Sequence, residues 1–66
     1  MSELSSVGDF YADLRVATDK GLEIHFSGRR GYIICALVRD AVAQIDTYGI
    51  NHAQALRRAL RELQVG

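Results

Sequence analysis

From Phe10 onward, apolar and polar residues alternate along the chain. Phe10, Ala12, Leu14 and Val16 are separated by Tyr11, Asp13 and Arg15, and Leu22, Ile24 and Phe26 by Glu23 and His25. A period of two puts successive side chains on opposite faces of a strand, so each run predicts a half-buried strand. Between them Asp19-Lys20-Gly21 reads as a short turn, with glycine where a positive φ is wanted. That loop sets Val16 against Ile24 and Leu14 against Phe26 on one face, and Arg15 against His25 on the other. A one-residue slip would destroy the match. The same stretch also fits a short helix capped by Asp9, with Phe10, Leu14 and Ala17 on one side. Residues 9–18 are therefore strand or helix, and the register match favours the strand.

After Gly28-Arg29-Arg30-Gly31 the period changes. Ile34, Val38, Ala41, Ile45 and Tyr48 are spaced four, three, four and three, and Leu37 and Val42 widen the stripe. This is the apolar face of an amphipathic helix over 31–48, closed by Gly49. The opening Tyr32-Ile33-Ile34-Cys35 is rich in strand formers, so a third strand over 31–38 remains open. Asn51 then caps a last helix, with Gln54 three residues on completing a capping-box-like pair. Leu56, Ala59, Leu60 and Leu63 form its buried side, and Arg57, Arg58, Arg61, Glu62 and Gln64 its wet side. Residues 1–8 are small and polar and read as a flexible arm. The expected fold is α+β, an N-terminal β-hairpin followed by two antiparallel-packed α-helices (ββαα), in a single domain over 9–66.

Size changes what this fold has to do. A chain of 66 residues hides only about 60% of the surface its unfolded form exposes, so its core is marginal without some addition. One cysteine, Cys35, excludes an internal disulfide. The remaining addition is buried surface from a partner, so a homodimer or a complex with another protein is expected. Eight basic and eight acidic side chains give zero net charge, which offers no general attraction to phosphate. The start Met1-Ser2-Glu3-Leu4 has neither region of a signal peptide, and the longest apolar run, Tyr32 to Val38, is too short to span a bilayer. With the scarcity of cysteine, this predicts a cytoplasmic protein without membrane contact.

Candidate chemistry is sparse. His25, His52 and Cys35 are far apart in sequence and lack the close pairing of a metal site. Cys35 lies between Ile34 and Ala36 and reads as a small buried hydrophobe. No catalytic residue, metal or cofactor is expected, and the chain does not read as an enzyme. Contact residues are easier to name. Arg29 and Arg30 sit in a glycine-framed connector at the start of the expected first helix, where helix amides could join them in holding phosphate. Arg57, Arg58 and Arg61 lie on adjacent turns of the last helix, a basic edge for phosphate or for an acidic protein surface. Tyr11 and Tyr32 are candidate interface anchors, whereas Tyr48 falls on the apolar stripe.

The segment Gly49-Ile50-Asn51-His52-Ala53-Gln54-Ala55-Leu56-Arg57-Arg58-Ala59-Leu60-Arg61-Glu62-Leu63 resembles the second helix of ribbon-helix-helix DNA-binding proteins. The order Leu22–Ser27, Gly31–Tyr48, Asn51–Gln64, the C-terminal two-thirds of the chain, is similar to the strand, helix and helix of that family. The resemblance implies that strands of two chains pair and that outward side chains, here Glu23, His25 and Ser27, enter the major groove. It also implies that Asn51 brings its helix N-terminus to a phosphate. Two functional expectations follow. The first is a small non-enzymatic regulatory protein acting by protein–protein contact, of the inhibitor, antitoxin or phage anti-defence type. The alternative is a dimeric DNA-binding repressor.

Overall fold

The protein is described by a computed structural model covering residues 2–65, with side chains over 9–64. The arm expected at 1–8 falls where side chains lie outside the described residues. The elements run α1 (Ser2–Asp19), β1 (Glu23–Arg29), β2 (Tyr32–Arg39), β3 (Val42–Gly49) and α2 (His52–Val65). The strands form a 3-stranded antiparallel meander in the order β1-β2-β3. Both helices share one core with the inward face of β2. It comprises Ala17, Leu22, Cys35, Leu37, Ala55, Leu56, Ala59 and Leu60, with Phe10, Leu14, Ile24, Phe26 and Ile45 packed around it.

This αβββα order replaces the expected ββαα arrangement in two places. Residues 10–18 belong to α1 rather than to the first strand of a hairpin. A strand would turn Ala12 inward and Ala17 outward, whereas Ala12 is exposed and Ala17 fully buried. Phe10, Leu14 and Ala17, four and three residues apart, face the core together. Asp19-Lys20-Gly21 is then the end of a helix, not a hairpin loop. Gly21, at φ 77, donates its N–H to the Thr18 carbonyl at 2.9 Å, and Leu22 donates to the Ala17 carbonyl at 3.0 Å. This pair of bonds is the Schellman motif, and the buried pair Ala17 and Leu22 supplies its apolar contact.

Residues 31–48 form β2 and β3 rather than one helix. The helical spacing of Ile34, Val38, Ala41, Ile45 and Tyr48 was fortuitous, because those residues fall on both faces of the sheet and in its turn. Arg39 pairs with Val42, so Asp40-Ala41 is a two-residue loop. Both loop residues have positive φ, 55 and 66, as a type I′ turn requires. The expected strand Leu22–Ser27 is present, shifted to Glu23–Arg29. The strand–helix–helix order implied by the ribbon-helix-helix resemblance is absent: its strand and last helix fall close to where expected, but β2 and β3 stand in place of its first helix.

That last helix has the cap its sequence announces. Gln54 donates its N–H to Asn51 Oδ1 at 2.9 Å, while Gln54 Oε1 accepts from the Ile50 N–H at 2.9 Å. Gly49 closes β3 instead of ending a helix. A Cβ there would lie 2.6 Å from the Ala55 nitrogen and 2.9 Å from Gln54 Cβ. The missing side chain is what lets α2 start directly against β3. Beside it, the buried Thr47 hydroxyl donates to the Ala55 carbonyl at 2.7 Å.

Two glycine exchanges check this account by urea denaturation. Gly49→Ala is expected to cost about 1–3 kcal/mol, since the intruding atom meets backbone that cannot yield. Gly28→Ala, with open space around the new atom, should cost far less. In the opposite direction, Ala41→Gly should stabilise the fold by about 0.5–1 kcal/mol, because alanine is strained at positive φ.

Candidate functional site

The structure divides the expected contact residues among several places. Arg57 points back to α1, with its Nε 3.2 Å from Asp13 Oδ2 and a terminal nitrogen 3.6 Å from Asp9 Oδ2. It ties the two helices together and is not a free cation. Arg61 is exposed on the next turn of α2, with no ion pair among the described residues. Arg29 and Arg30 lie at the β1–β2 turn, with Arg29 paired to Tyr32 and Gly31 at φ 88. No helix begins there, so the expected phosphate cradle of helix amides is absent at these arginines. Tyr11 stands 71% exposed on α1, apart from Tyr32.

Arg58 takes a different course. From α2 it reaches the end of β3, donates to the Tyr48 carbonyl at 3.0 Å and lies 5.7 Å from the centre of the Tyr48 ring. Tyr48 meets Tyr32 edge to face, with ring centres 5.8 Å apart. With Gly49, Ile50 and Gln54 these three side chains line a recess of about 340 Å³. Tyr48 is 61% and Ile50 74% exposed, unusual for residues of their size. The hydrogen bond to Tyr48 occupies one of five guanidinium N–H donors, so Arg58 has donors left for a carboxylate.

Two of the expected contact residues, Arg58 and Tyr32, therefore meet in one place, joined by Tyr48 and Ile50. Tyr48 escaped sequence reasoning because the stripe assigned it to the core, when as the residue after inward-facing Thr47 it faces outward. Ile50, directly before the cap, would ordinarily pack onto the following helix turn, and its exposure shows only in three dimensions.

The residues expected to read DNA are split. Glu23, His25 and Ser27 do share the outward face of β1, all exposed, with His25 Nε2 3.2 Å from Glu23 Oε1. Asn51 faces the other layer. Its Oδ1 is engaged in the helix cap, and it borders a cleft lined by Asp9, Asp13 and Arg57. Two carboxylates at that mouth would repel a phosphate.

His52 packs edge-on against Phe26 at 4.7 Å between ring centres. Among the described residues no group of three or more His, Cys, Asp or Glu gathers to hold a metal. No helix among them is long and apolar enough to cross a membrane. Comparison with protein-family models, curated proteins and solved structures finds no match for this chain.

Cys35 is fully buried in the core, and burial pushes its thiol up to about 11 from 9.0. The folded state therefore resists ionisation that the unfolded chain undergoes freely. Stability from this group is complete below pH 9 and declines as pH rises toward 11. Urea melts at pH 7, 9 and 11 should show the parent losing more stability over the upper interval than Cys35→Ala, although the variant starts out weaker from its cavity.

Proposed function

We propose that this is a small, self-associating, non-enzymatic regulatory protein that acts by contact with another protein. Its contact centre in this reading is the recess of Tyr32, Tyr48, Ile50 and Arg58. The observation that carries the proposal is the pairing of Arg58 with exposed Tyr48 beside an equally bare Ile50. Tyrosine and arginine are the side chains that most often dominate binding energy, and here they frame an apolar hollow instead of lying scattered. The chemistry fits a partner presenting an apolar side chain next to a carboxylate. The apolar group would enter between Tyr48 and Ile50, and the carboxylate would take the free donors of Arg58. Inhibitors, antitoxins and anti-defence factors all work by such surface occupation.

The alternative of a DNA-binding repressor has weaker support. The helix that would follow its reading strand is a pair of strands, and Asn51 borders an acidic cleft.

A test begins with a photo-cross-linking residue at position 50 in the native host, which identifies what occupies the recess. Titration calorimetry with the purified partner should then show Arg58→Gln and Tyr48→Ala each weakening binding by about 30-fold or more, the scale of an interface hot spot. Arg57→Gln, turned toward α1 and away from the recess, should change the affinity less than threefold. A partner bound equally well by all three variants would remove the recess from the interface.

A further inference from the structure

The central strand β2 is apolar on both faces. Ile33, Cys35 and Leu37 point to the helices, while Tyr32, Ile34, Ala36 and Val38 point away from them. An antiparallel sheet with one wet face normally shows polar residues there, and a strand apolar on both sides is the mark of one covered on both sides. Among the described residues nothing covers the outer face, since α1 and α2 pack into the core on the inner one.

We infer that a second copy of this chain covers the outer face, sheet against sheet, about a two-fold axis running along β2. The inference rests on the self-association in the reading above and adds the surface and register. The side chains stand in rungs across the outer face. Glu23 aligns with Val38 and Ala43, His25 with Ala36 and Asp46, and Ser27 with Ile34 and Tyr48. A two-fold axis along β2 lays β1 of each copy over β3 of the other at the same level. His25 then faces Asp46 of the second copy, and the contact occurs twice. Ile34, Ala36 and Val38 fall on their own counterparts along the axis, an apolar seam bordered by His25–Asp46 pairs.

Other arrangements fit less well. An axis across the strands would lay β3 on β3 and bring the two Asp46 carboxylates near each other without a cation between them. In the arrangement along β2, each Asp46 meets an imidazole ring instead of a second carboxylate. Three strands of this length span about 14 by 25 Å from strand spacing and rise. That footprint, roughly 350 Å² on each copy, is below that of a standard specific interface, so the dimer is a weak one that dissociates on dilution. Tyr48, in the rung of Ile34, falls under Ser27 of the second copy, so the sheet contact borders the recess.

Sedimentation equilibrium across micromolar to millimolar concentration tests the inference, using the full chain and two charge exchanges. The parent should dimerise. His25→Asp sets two carboxylates against each other, and Asp46→Lys sets a cation against the imidazole, so each variant alone should dimerise at least tenfold more weakly. An equimolar mixture of the two variants should recover heterodimers to within about threefold of the parent, because every crossed pair is then attractive. Both positions are exposed, and unchanged monomer melts by circular dichroism would confirm that the variants fold. A parent that stays monomeric throughout overturns self-association altogether. A dimer indifferent to both exchanges overturns this interface while leaving self-association standing. Weakened single variants that fail to recover on mixing overturn the two-fold along β2.

Discussion

The fold turns on the close approach of α2 to β3. An ordinary side chain at Gly49 would collide with the backbone of Ala55, so the helix can begin only where one residue lacks a Cβ. Thr47 fixes the same spot by donating to the Ala55 carbonyl. Ala55 and Ala59 keep the helix low over the sheet, and Leu56 and Leu60 then fill the space above Cys35 and Leu37. In a chain with so little surface to hide, a helix lifted by even one methyl group would open the core along its length. The contact also shapes the outside. With α2 held against the end of β3, Arg58 is short of solvent on one side and comes to rest on Tyr48. The recess follows from how the core is closed.

The same economy of layers explains the bare face. Two helices cover one side of three strands, and among the described residues no further element lies over the other. Polar residues are confined there to the flanking strands, as Glu23, His25 and Ser27 on β1 and Asp46 on β3, while the middle carries Ile34, Ala36 and Val38. An apolar centre with a polar margin is how a protein–protein interface is usually composed.

Much of α2 was legible in the sequence because its signals are local. A cap, a partner three residues later and an apolar face of Leu56, Ala59 and Leu60 involve one helix and its first turn. The strands were harder for physical reasons that can be named. Because β2 is apolar on both faces, it lacks alternation, and its residues joined those of β3 in an accidental helical stripe. The turn between them, Asp40-Ala41, adopts positive φ without the glycine or asparagine that usually advertises it. In α1 the alternation of Phe10, Ala12, Leu14 and Val16 fits a strand as well as the residues alone can show. The decision came from the packing of Ala17 and from Gly21, whose positive φ serves a helix end as readily as a hairpin. Of the site, Arg58 and Tyr32 were visible as exposed contact groups, but nothing local brings them together with Tyr48 and Ile50.

The arginines show why charge could be counted in the sequence but not placed. Arg57 and Arg58 are neighbours on one helix, yet about 100° of rotation separates their directions. Arg57 falls toward α1, where Asp9 and Asp13 neutralise it. Arg58 falls toward the sheet edge, where no carboxylate is bound to it among the described residues and an aromatic ring takes that place. A cation resting on a ring keeps its charge available, whereas one held between two carboxylates does not. The acids of α1 thus do two things at once: they fasten the helices and silence one arginine. Arg58, left without a carboxylate among the described residues, thus keeps its charge beside the bare Tyr32, Tyr48 and Ile50.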